Sequence, residues 1–262
     1  MVIGGSSRGR RRVPRRGAAS AAVQESLFEV QVRPERRFYR QMLDAVGRSE
    51  FGSDPLAAEA IVSRLFGTVW ASQPPPRDGD TEEAFGLGLV EVARQHLRPT
   101  TVALLRTVAV VAPIREVREA AATAADRMTA SGLPEPAWQP PVGAVTPVRC
   151  WAFEDVFGDA ATVMCEFHYG PAARPTQRHG IVVQVDHALF SAATSAVLID
   201  DVDPVIRDLG NQAQARDSIA TLRQVEPGWA HGVLTRAFAR TDLVDEVEVG
   251  PDFADVRALA LA

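Results

Sequence analysis

The spacing of apolar residues changes once along this chain, and that change limits the fold more than any other feature. Up to residue 131, apolar side chains recur every three or four positions, the period of a helix with one buried face. Over 36–46 the stripe is Phe38, Met42, Leu43 and Val46, with Arg36, Arg37 and Arg40 outside it. Ser53-Asp54-Pro55 reads as a cap followed by proline at the first helical position, opening a helix through Ala57, Ile61, Leu65 and Trp70. Pro74-Pro75-Pro76 breaks the pattern. Asp80 and Glu83 have capping-box spacing ahead of Ala84, Leu87, Val90, Ala93 and Leu97. Pro99–Val111 and Pro113–Ser131 predict two further helices, the second closed by Gly132.

Beyond Pro134, Pro136, Pro140, Pro141, Gly143 and Pro147 the pattern is that of strands. Ala161–Tyr169 and His179–Asp186 are rich in β-branched residues, and the nine residues between them, Gly170–Arg178, hold two prolines and a glycine, as a long hairpin loop would. Ala193–Ile199 extends this pair into a small meander. Asp203-Pro204 opens a helix, Pro227–Arg240 predicts another with Trp229, Val233 and Phe238 as apolar candidates, and Pro251–Ala262 predicts a last one without a C-terminal cap signal. The expected fold class is therefore α+β: a helical N-terminal half packed with a small antiparallel sheet and C-terminal helices. The expected organisation is a disordered arginine-rich tail over 1–25, a helical subdomain over 26–133 that opens with a short extended stretch at Leu27–Val32, a proline-rich linker over 134–147, and an α+β subdomain over 148–262 that continues past Ala262 in a longer natural chain.

All 28 basic residues are arginine, and the chain contains no lysine. Mechanisms that need a primary amine are excluded: Schiff bases, pyridoxal phosphate attachment, Walker-A phosphate binding and the kinase strand lysine. A GC-rich genome accounts for the bias, since asparagine is equally scarce and Asn211 stands alone. Residues 1–16 carry six arginines and no acid in a chain of net charge −5, so the body is acidic and the tail basic. Arg10, Arg11, Arg12, Arg15 and Arg16 would draw nucleic acid by counterion release, without sequence preference. An early start codon read through GC-rich DNA would produce the same run.

With 46% hydrophobic residues the chain can bury a core without covalent staples, and Cys150 and Cys165 read as reduced, buried small hydrophobes. The N-terminal charges are not followed by the apolar run of a secretory signal. Val102–Val111 is interrupted by Arg106 and falls far short of the roughly 20 residues a membrane span needs. A cytoplasmic, soluble protein with no membrane partner is expected.

Four of the five histidines, His168, His179, His187 and His231, lie in the second half. Antiparallel pairing of the two strands places Glu166 and His168 on one face, and Gln184 with Asp186 on one face of the other strand. Converging at strand ends, His168, Asp186, His187 and Asp200 would be catalytic candidates. His168, His187 and Asp200 would ligate a divalent metal that activates water, or Asp186 would orient His187 as a general base. The competing explanation is local hydrogen bonding: Asp203 as a helix cap, Asp200 and Asp201 in a solvated turn. Cys165 and His168 have zinc-like spacing but point to opposite faces of a strand and have no second pair. Gly5-Ser6-Ser7-Arg8-Gly9 fits G-x-S-x-G without the strand a nucleophile elbow requires, and Gly86-Leu87-Gly88 sits in a helical pattern, so neither supports its motif. Trp70 and Trp151 are expected in the core.

Gly180–His187, a hydrophobic strand ending in Val185-Asp186-His187, followed by Leu198-Ile199-Asp200-Asp201, resembles a group of uncharacterised proteins of high-GC actinobacteria. The resemblance covers about a fifth of the chain, which carries Ala188-Leu189-Phe190 where that pattern has a glycine pair. It implies no activity. The leading functional expectation is a non-enzymatic interaction or scaffold protein with a protein partner and no cofactor. The alternatives are a hydrolase dependent on a divalent metal and a nucleic-acid-associated protein acting through the tail.

Overall fold

The protein is α+β. The computed structural model describes residues 36–47, 54–138, 141–170 and 178–262, and the arginines of the tail and the stretch at Leu27–Val32 lie outside them. Five helices come first: α1 (36–46), α2 (Pro55–Ala71), α3 (Asp80–Ala93), α4 (Pro99–Val111) and α5 (Arg115–Ala130). Their stripes meet in one core around Val62, Phe66, Leu89, Leu104, Leu105 and Val108. Asp54 caps α2, its carboxylate accepting from the Leu56 N–H at 3.1 Å, with Pro55 at the first position. At α3 the cap differs from expectation. Gly79 takes that position with φ +89°, and the acceptor for the Asp80 N–H is Asp78.

The second half is a five-stranded antiparallel sheet in the order β4-β3-β2-β1-β5. Its strands are β1 (Val145–Asp155), β2 (Ala160–Tyr169), β3 (Arg178–Asp186), β4 (Ala192–Ile199) and β5 (Ala220–Val225). The meander expected from sequence is thus three of five strands. Pro147 and Arg149 interrupt the alternation that would announce β1, and the register shifts between those two residues. β1 also begins inside the proline-rich stretch. β5 is a short edge strand with polar residues at half of its positions, reached from β4 through helix α6 (Asp203–Gln214).

Helices cover both faces of the sheet, which explains why β2 and β3 are apolar at consecutive positions. α6 lies on one face over Trp151, Met164, Val182 and Leu222. On the other face α7 (Pro227–Leu243) and α8 (Phe253–Leu261) pack over Ala152, Val163, Ile181 and Val183. α8 also lies against α2, so closely that a Cβ on Gly67 would stand 1.9 Å from the Ala254 carbonyl oxygen. The same seam holds the buried Arg257, which pairs with Glu82 of α3 at 3.1 Å and with Asp242 of α7 at 2.7 Å, and lies over the Trp70 ring. The helical half and the sheet therefore share α8 as a common wall. No described helix is long and apolar enough to cross a membrane.

Candidate functional site

Alternation along β2 sends Met164, Glu166 and His168 toward α6, and Cys165, Phe167 and Tyr169 toward α7 and α8. The two faces are built differently.

On the α6 face Glu166 is 3% exposed and receives Arg149 Nε and an Arg178 terminal nitrogen, each at 2.5 Å. Burial alone would raise its carboxyl, but the hydrogen bonds from Arg149, His168 and Arg178 outweigh burial and hold it at about 2. His168 Nε2 lies 2.9 Å from Glu166 Oε1 and 2.8 Å from Arg178 Nε. With its proton on Nδ1 the ring accepts from Arg178 at Nε2; with a proton on Nε2 it donates to Glu166 instead. Arg149 reaches on to Asp203 at 2.9 Å, so Asp203, expected as a helix cap, is an ion-pair partner, and the α6 cap position belongs to Val202. Two arginines face two carboxylates, a closed network with every charge matched.

The other candidates are elsewhere. Register places His168 opposite Arg178 and Ala160 opposite Asp186, so His168 and Asp186 sit at opposite ends of the sheet, about 26 Å apart at ~3.3 Å per residue. Asp186 accepts from the Leu189 N–H at 3.0 Å, and His187 Nδ1 lies 3.0 Å from Ser191 Oγ, both inside the β3–β4 turn. Phe190 and Ser191 hold that turn at φ +59° and +58°, the left-handed region that glycines would fill without strain. Asp200 is exposed just after β4, two strands from His168. The structure brings His168 together with Glu166 and does not bring it together with Asp186, His187 or Asp200. Among the described residues no group of three or more His, Cys, Asp or Glu side chains is placed to hold a metal.

The opposite face contains a cavity of about 480 Å³ where the sheet, α7, the end of α8 and the helical half meet. Phe167, Ile181, Leu234 and Leu259 give it a largely apolar wall. Two polar groups border it from buried positions. Glu59 of α2 is 2% exposed, accepts from the Gly143 N–H at 2.6 Å through Oε1, and receives the Tyr169 hydroxyl on Oε2. Burial raises the Glu59 carboxyl, and the bonds from Tyr169 and Gly143 partly offset this; burial, then Glu59 itself, pushes the Tyr169 phenol up. Gly143 is required there: its φ is +71°, and a Cβ would stand 2.7 Å from Val110 Cγ1.

The second group is His179 of β3. It is 3% exposed, stacked on Phe167 at 5.4 Å and tilted against Tyr169 at 5.6 Å, and its buried Nδ1 has no hydrogen-bond partner among the described residues. Burial, then the proximity of His168, lowers its imidazole to about 4, so the ring is neutral at physiological pH. Cys150 and Cys165 are register partners on the same wall, free and buried as expected. The hydrogen bond between them lowers the Cys150 thiol and, with burial, raises that of Cys165.

Sequence reasoning singled out none of the cavity's polar set. Glu59 had a usable signal, since it falls on the apolar stripe of α2 with Val62 and Phe66, where a carboxylate needs a partner. His179 had none: at the head of a strand it reads as a surface residue. No family model matches the chain, and neither the curated proteins nor the solved structures yield a match.

Proposed function

We propose that the protein is a non-catalytic binding protein that holds one small, predominantly apolar molecule between its sheet and its helical half. One observation carries the reading: His179, almost fully buried, is one of the few polar residues lining a cavity of about 480 Å³, and its own buried Nδ1 has no partner among the described residues. Buried polar groups are hydrogen-bonded in the great majority of cases, and an exception beside a cavity calls for a ligand or ordered water to supply the bond. The volume falls in the range of ~300–1,000 Å³ typical of small-molecule sites, and an apolar wall with a few fixed polar groups is their usual composition.

This reading keeps the non-enzymatic part of the sequence expectation and puts a small molecule in place of a macromolecular partner. His168, Asp186, His187 and Asp200, spread over both ends of the sheet, lend the hydrolase alternative no common site. The test is titration with Nile red, an uncharged dye that brightens in apolar surroundings. Saturable binding at one dye per chain is expected, together with its loss in Leu234→Trp, which adds an indole to the α7 wall. A folded wild-type protein that does not bind the dye saturably overturns the proposal, as does undiminished binding by a folded Leu234→Trp variant.

A further inference from the structure

Given that the cavity is a binding site, we infer that its occupant is uncharged rather than anionic and carries one hydrogen-bonding group held by His179: an apolar alcohol, phenol, amide or secondary amine, not a carboxylate, sulfonate or phosphate ester. The composition of the wall points this way. The chain has 28 arginines, yet none is among the described residues that line the cavity. An anion moved from water into an apolar site needs a countercharge; no guanidinium here supplies one, and the basic side chains among the described lining residues are the imidazoles of the buried His179 and the exposed His231.

The nearest buried acidic group offers an anion no countercharge either. Glu59 presents a carboxyl group whose two oxygens already accept from Gly143 and Tyr169, an arrangement that suits the ionised form. In its ionised form it would repel a second anion with little solvent screening. The favourable field in the cavity comes from the start of α7, where Pro227 and Gly228 line the wall. A helix N-terminus offers about half a unit charge, enough to orient a neutral oxygen but not to balance a whole anion.

His179 fits the same occupant. A neutral imidazole has one N–H and one lone pair, and which nitrogen carries the proton is free to follow the ligand when no protein group fixes it. A hydroxyl both donates and accepts, so it satisfies either tautomer; an N–H group satisfies the accepting nitrogen. Stacking on Phe167 keeps the ring from turning away.

Two probes separate the possibilities because they share the same rings: N-phenyl-1-naphthylamine, uncharged with one N–H, and its 8-sulfonate analogue, an anion. The wild-type protein is expected to bind the uncharged probe at one per chain and at least tenfold more tightly than the sulfonate. Glu59→Gln, which replaces the acidic group by an amide of the same shape, should narrow that gap about tenfold. His179→Phe should weaken the uncharged probe about tenfold, and His179→Asn, which retains a donor and an acceptor, should restore most of the affinity and also serves if the phenylalanine variant does not fold.

Equal or tighter binding of the sulfonate to wild type overturns the uncharged class while leaving the cavity reading in place. An affinity for the uncharged probe that neither His179 variant changes overturns the assignment of His179 as anchor. Failure of both probes to bind folded wild type overturns the cavity reading itself.

Discussion

The two faces of the one five-stranded sheet solve the burial of polar groups in opposite ways. Under α6, Glu166 is sunk among apolar neighbours and surrounded by Arg149, Arg178 and His168, so its charge is matched on every side. Under α7 and α8, His179 is sunk equally far and has the Phe167 ring stacked on it and the Tyr169 ring tilted beside it but no partner for Nδ1 among the described residues. Strand position does not explain the difference, since Glu166 and His179 lie one register step apart on neighbouring strands. It teaches that burial of a titratable group is not by itself a mark of function. The distinguishing feature is whether the protein satisfies the group, and an unsatisfied one beside a cavity is what supports the binding site proposed above.

The largest effect is expected where the comparison depends on a common frame. Arg257 ties α8 to α3 and α7 through Glu82 and Asp242, both poorly accessible to solvent. Arg257→Met keeps the volume but strands the buried Glu82, while the partly exposed Asp242 keeps the Trp70 indole N–H at 2.7 Å, and removal of one partner of a buried pair costs ~3–5 kcal/mol. Urea denaturation should show a loss of that size, with loss of dye binding, because the cavity wall is shared across this seam. A variant as stable as wild type would show that the two halves hold together without the pair.

A second effect separates the faces by pH. Both His179 and Glu166 have folded values below their unfolded ones, from 6.5 to about 4 and from 4.5 to about 2. As pH falls the unfolded chain takes up each proton first, so stability is full above 6.5 and is lost in two windows. His179 acts between 6.5 and 4 and Glu166 between 4.5 and 2, each by up to about 3 kcal/mol at roughly 1.4 kcal/mol per unit. Stability measured by urea across this range should lose the upper window in His179→Phe and the lower one in Glu166→Gln. A single window shared by both variants would mean that the faces do not titrate independently. At neutral pH, Glu166→Gln is expected to cost about 2 kcal/mol, the loss of charge-assisted bonds to partly exposed arginines.

How much of this was legible follows from what each residue's neighbours are in sequence. The helices of the first half were readable because their apolar stripes and proline starts are local, and α4 spans Pro99–Val111 as its periodicity predicts. That Glu166 and His168 share a face was readable because alternation along one strand is local too. β1 and β5 were not, because Pro147, Arg149 and Arg223 are accommodated by a register shift and by partners far along the chain: Arg149 by Glu166, Arg223 by Glu154 at 3.0 Å. The cavity was beyond local reading for the same reason. Glu59 meets Tyr169 across 110 positions, and no pattern in either segment announces the other. Local rules read Asp186 and His187 as strand-end chemistry, and both are consumed by a turn whose left-handed residues are a phenylalanine and a serine.

The smallest effect is the sharpest, because its sign differs between the faces. Glu166→Gln removes a satisfied group and must destabilise. His179→Phe removes an unsatisfied one: the phenyl ring fills the same space between Phe167 and Tyr169, and the unmet imidazole nitrogen disappears. Replacing an unpaired buried polar group by an apolar one of similar shape is neutral or stabilising, here by up to about 1 kcal/mol. The ligand-free variant should therefore melt at or above the temperature of the wild type while binding the uncharged probe more weakly. A gain in stability with a loss of affinity is the trade expected of a residue kept for its ligand. If His179→Phe instead destabilised the ligand-free protein as Glu166→Gln does, the imidazole would be a satisfied part of the core, and the contrast between the two faces would vanish.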